Sequence, residues 1–151
     1  MKLYKLTDER GRTYNNTQWG PGVTHSTNGE GDLCGPGWLH AYTSPLLAVL
    51  LNPIHANFKN PILWEAEGVI NKNNKGLQVG TTKLTTIRKI AIPVITTEQR
   101  IRFAILCAKE VCEEPQWNKW ADNWLNGSDR SEKAAAWAAW AEEAEAAAEW
   151  A

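Results

Sequence analysis

Net charge is nearly absent from this chain: 16 Lys and Arg stand against 17 Asp and Glu, a balance of −1. The basic excess that drives binding to a phosphate backbone is therefore missing, and general nucleic-acid binding is disfavoured. Lys83, Arg88, Lys89, Arg100 and Arg102 read as the solvated face of a strand and a helix. Long apolar runs are lacking too, and no stretch approaches the roughly 20 residues that span a bilayer. Met1-Lys2-Leu3-Tyr4 begins a strand-like pattern instead of a charged head with an apolar signal core. The expectation is a cytoplasmic protein with no membrane partner. Cysteine is scarce, three residues without framework spacing, which agrees with a reducing compartment.

The chain also lacks the common catalytic motifs. Zinc would have to be held by His25, Cys34, His40 and His55, among which there is no C-x-x-C or H-x-x-x-H pair. There is no phosphate-cradling G-x-x-x-x-G-K-[ST], no G-x-G-x-x-G opening a helix and no G-x-S-x-G elbow. The sequence leans away from an enzyme and implies neither metal nor cofactor.

What is present begins with a length of 151 residues, 43% of them hydrophobic and 22% charged, which suits one folded domain with an appendage. Strands are predicted over 3–7, with 12–14 returning as a hairpin arm, and over 38–42, 62–70 and 83–92. Residues 15–37 are rich in Asn, Thr, Ser, Gly and Pro and read as a long irregular loop pinned by Trp19 and Trp38. Ser44 caps a helix over 45–51, with Pro45 at its first position. That helix is apolar nearly all round and is expected to be buried. Asn52-Pro53 and Asn60-Pro61 bracket a non-helical connector containing His55, and 71–80 reads as a polar turn. Thr96 with Gln99 forms a capping box for a core-packing helix over 97–113, closed by Pro115.

Six of the nine tryptophans follow residue 115. Trp117, Trp120 and Trp124 share one helical face, and an Ala-rich helix over 134–151 carries Trp137, Trp140 and Trp150. An isolated helix of that length is marginal in water unless its face docks; Trp117, Trp120 and Trp124 are expected either to pack within the chain or to form, with Trp137, Trp140 and Trp150, a helical interface with a partner or a second copy. The fold expected is α+β, a small twisted, mainly antiparallel sheet packed against helices, over 1–114, followed by a Trp-rich helical extension over 115–151.

One strand face carries Trp38, His40 and Tyr42 in a row, suited to stacking on a planar ligand. A structural histidine bonded to the long loop explains His40 as well, and is the reading preferred. Glu65 shares a strand face with Glu67 and reads as an acid/base candidate or as the wet side of the sheet. The candidate ligand or partner surface is thus Trp19, Trp38, His40, Tyr42 and Glu65.

At Cys34-Gly35-Pro36-Gly37-Trp38-Leu39-His40-Ala41 the chain resembles an uncharacterised phage and prophage domain family with a C-x-x-G-hydrophobic-H-A signature. Tyr4-Lys5 before it, and Ser44 to Leu51 and Leu63-Trp64-Glu65-Ala66-Glu67-Gly68 after it, follow that family's order over roughly residues 1–95. Trp38 lengthens the usual spacing between glycine and histidine. The resemblance implies a small phage accessory protein in the host cytoplasm, a class that includes inhibitors of host defence, acting by binding a host or phage protein. It transfers no catalytic residue. A second likeness, to ADP-ribosyltransferase-type domains, would cast His40, Tyr42 or Ser44, and Glu65 or Glu98 in a site that turns over or sequesters a nucleotide.

Overall fold

In the computed structural model, which describes residues 1–130, alternating side chains build the expected strands. β1 (Lys2–Thr7) pairs antiparallel with β6 (Ile62–Gly68), β6 with β9 (Lys83–Ile90), and β9 with β4 (Val23–Ser26). A second sheet orders β5 (Leu39–Ala41), β8 (Gln78–Thr81) and β7 (Lys72–Asn74), again antiparallel. Tyr4 and Tyr42 exchange backbone hydrogen bonds of 2.8 and 2.9 Å, which joins the sheets along β1 and β5. With helices α1 (Pro45–Leu50) and α2 (Asn52–His55) following β5, the fold is α+β.

Burial separates the faces. Leu3, Ala41, Ala66, Val79 and Leu84 from five strands pack with Trp19, whose burial contributes the largest apolar area of the group. Polar groups on the same side are satisfied internally. Trp64 Nε1 donates to Thr7 Oγ1 at 3.0 Å, and Thr86 Oγ1 donates to the Gly20 carbonyl at 2.6 Å, as buried donors require.

The structure departs from the sequence reading where polar composition disguised strands. The stretch 15–37 is not wholly irregular: β3 (Thr17–Gln18) pairs with β2 (Arg12–Thr13), and β4 runs along β9. Arg12–Thr13 is therefore not an arm returning on β1. The expected turn over 71–80 is a hairpin of β7 and β8 with three residues, 75–77, between the paired Asn74 and Gln78; Lys75 and Gly76 stand at positive φ (50° and 81°) in a β-turn that Leu77 N closes on the Asn74 carbonyl at 2.8 Å. The connector after Leu51 is helical, because Pro53 falls in the first turn of α2, where a missing N–H costs nothing. Ser44 caps α1 as predicted, yet only Ala48 within that helix is buried and Leu46 is 48% exposed. Its apolar composition does not make it a core helix.

The chain divides into two compact units, Met1–Val94 and one beginning at Ile95. The division falls before α3 (Thr97–Lys109), whereas the expected boundary lay after it, at 114/115. Within the second unit Ala104, Ile105 and Ala108 of α3 bury against Trp117, Trp120, Ala121 and Trp124 of α4 (Pro115–Leu125). The capping box forms as read, with Thr96 Oγ1 accepting from Gln99 N and Gln99 Oε1 from Thr96 N. Pro115 opens α4 behind the Glu114 cap.

Candidate functional site

The register of the joined sheets decides which side chains meet. Directly opposed residues of antiparallel strands share a face. His40 stands opposite Gly80 and Gly80 opposite Lys72. Trp38 and Tyr42, two residues either side of His40, share its face, as does Gln78 two residues from Gly80. The predicted row is therefore real, and β7 and β8 extend it with Lys72, Gln78 and Asn74.

One end of this face is covered by the loop before β5. Gly29 N donates to the Gly37 carbonyl at 2.8 Å, closing residues 29–37 into a small Ω-like loop. Trp38 Nε1 and Lys72 Nζ both donate to the Gly31 carbonyl, at 3.0 and 2.8 Å. His40 Nε2 donates to the Leu33 carbonyl, which fixes the proton on that nitrogen. The Lys72 ammonium lies 5.3 Å from the Trp38 ring centroid, within cation–π range. Gly80 is a mid-strand glycine because of this covering: a Cβ there would come within 2.6 Å of Leu33 Cδ1 and 3.2 Å of the Trp38 ring.

The other end is a hydrogen-bonded trio. Tyr42 Oη lies 2.5 Å from His55 Nδ1, and the rings are stacked with centroids 5.8 Å apart. Gln78 Nε2 lies 3.3 Å from the same nitrogen and 3.5 Å from the phenol oxygen. The Gln78 amide N–H can only donate, while which of Tyr42 Oη and His55 Nδ1 donates to the other depends on the imidazole tautomer. Tyr42 is buried, while His55 and Gln78 are half-buried above it.

Lys5 lies beneath this face. It is 92% buried (relative exposure 8%), donates to the His40 carbonyl at 2.7 Å and sits 5.2 Å from the Trp19 ring centroid. Burial pushes its amine down to about 8, because an ammonium loses its hydration there. His40 is also held below the ordinary imidazole range, first by burial and then by the nearby charges of Lys5 and His55, against an upward pull from its bond to Leu33.

The remaining candidates lie elsewhere. Trp19 is 2% exposed, and its indole N–H is spent on Thr13 Oγ1 at 2.9 Å, so it is core and not contact surface. Glu65 shares the face of Tyr42 but stands two strands away, with Tyr4 between them, roughly 10 Å at the usual strand spacing. Its carboxylate pairs with Arg88 at 3.0 Å and Lys2 at 3.8 Å. The ADP-ribosyltransferase-like casting thus finds His40 and Tyr42 together and Glu65 apart, while Glu98 belongs to the second unit. Trp117, Trp120 and Trp124 are at most 7% exposed and pack on α3, the intramolecular one of their two readings and not the external interface. Trp137, Trp140 and Trp150 lie outside the described residues.

Sequence reasoning missed Lys5, His55, Lys72 and Gln78. The last three sit on segments read as connector or turn, and the alternation through Lys72 and Asn74 was the signal that hid beneath asparagine-rich composition. Comparison with protein-family models, with curated proteins and with solved structures finds no match, so what this face does is argued from its geometry.

Proposed function

We propose that the first unit binds a small planar ligand of the nucleotide class on the Trp38–His40–Tyr42 face, and that the chain works by binding or sequestering it, as a phage accessory protein. The observation that supports this reading is the convergence of side chains from three strands and α2 on one face, the half-buried Trp38, His40, Lys72, Gln78 and His55 with the buried Tyr42 at its floor. An aromatic wall with a few placed polar groups is what small-ligand sites offer. The protein-partner reading is placed second because Trp117, Trp120 and Trp124 are used inside the second unit.

Intact-mass analysis of the natively purified protein, followed by calorimetric titration with adenosine, ADP and NAD, tests it. Binding that is lost in folded His40→Ala and weakened in Tyr42→Phe supports the site. A folded protein that carries no small molecule and takes up none of the three at millimolar concentration overturns it. A stoichiometric protein captured from host lysate by that same preparation would move the weight to the partner reading.

A further inference from the structure

The donors at the Trp38 end are all turned toward one loop. Trp38 Nε1 and Lys72 Nζ converge on a single carbonyl oxygen, that of Gly31, and His40 Nε2 meets the next-but-one carbonyl, that of Leu33. An indole N–H, an ammonium and an imidazole N–H gathered on two oxygens form a set that reads phosphate oxygens equally well. The loop that supplies those oxygens carries Glu30 and Asp32, which an arriving phosphate would repel.

We propose that residues 29–37 are a displaceable lid over a phosphate subsite formed by Trp38, His40 and Lys72, the carbonyls of Gly31 and Leu33 standing where ligand oxygens bind. The inference rests on the ligand-face reading above and adds to it that the ligand bears phosphate and must lift the loop. Gly29 and Gly31 adopt φ of 72° and 84°, conformations open to glycine at little cost. The neck is one backbone bond between Gly29 and Gly37, and an open depression of about 460 Å³ lined by Thr27, Asn28, Glu30, Gly31, Pro36 and Gly37 borders the segment. The apolar clasp is Leu33, seated over Gly80. With the lid closed, only the open fraction of molecules binds, and apparent affinity is reduced by that fraction.

Leu33→Gly removes the clasp without touching a donor. By calorimetry at one ionic strength, the full-length variant is expected to bind ADP about tenfold more tightly than the unsubstituted protein, with adenosine unchanged, and Lys72→Met added to it should abolish the gain. Leu33→Ala, which keeps the backbone restraint, should give a smaller gain of the same sign. Amide exchange in residues 29–37 should quicken when ADP is added. Adenosine and ADP bound equally well by both proteins, or a gain as large for adenosine as for ADP, overturns the lid and leaves the ligand face standing. Inorganic pyrophosphate bound more tightly by Leu33→Gly, with no adenosine binding, supports the subsite and overturns the nucleotide class. No binding of any of the three probes to either folded protein overturns both.

Discussion

Lys5 shares the buried face of β1 with Leu3 and Thr7, where an ammonium is costly. Its pKa of about 8, against an ordinary 10.5, has a definite consequence for stability. Between those values the unfolded chain holds a proton that the folded chain has released, so stability rises with pH across that window and is lowest below it. Urea midpoints are expected to climb from pH 8 to pH 10 in the unsubstituted protein and to stay level in Lys5→Met. Equal slopes in the two would show that another group titrates there. His40 follows the same sign in acid: its lowered pKa means the unfolded chain takes a proton first, so stability falls as pH drops below the ordinary imidazole value of about 6.5.

At the scale of elements, helix ends were the most legible features. Ser44, Thr96 with Gln99, and the tryptophan spacing in α4 all act as their side-chain chemistry requires. Thr96→Ala removes the oxygen that accepts from Gln99 N and is expected to cost about 1 kcal/mol, read as a lower thermal midpoint. Trp117, 1% exposed between α3 and α4, is the larger determinant; Trp117→Ala should cost about 3–5 kcal/mol and reduce helical circular dichroism. A change within 1 kcal/mol would mean the helical pair repacks. Strands were less legible where asparagine, threonine and glycine dominate. β4 and β7 are edge strands, and an edge tolerates polar residues on both faces because one side of its backbone meets solvent. That composition is why His25 and Lys72 were read into loops.

For the whole molecule, the division into Met1–Val94 and a unit beginning at Ile95 predicts where proteases enter. Ala91, Ile92, Val94 and Thr96 are exposed, Val94 at 91%, and limited digestion should cut between residues 91 and 96 before any strand or helix is lost. First cuts near 114 would instead favour the boundary drawn from composition. Among the described residues no helix is long and apolar enough to cross a membrane. The α+β class, the capped helices, the alternating strands and the shared face of Trp38, His40 and Tyr42 could be read from the residues alone. Each of these follows from local rules: side-chain period, proline geometry and the need of helix ends for hydrogen-bond partners. The meeting of the α3 face with the α4 tryptophans, of Tyr42 with His55 and Gln78, and of the Gly31 and Leu33 carbonyls with the donors of Trp38, Lys72 and His40 came from long-range packing. Those contacts depend on which strands become neighbours, and strand order is set by the burial of the whole sheet, which no local pattern encodes.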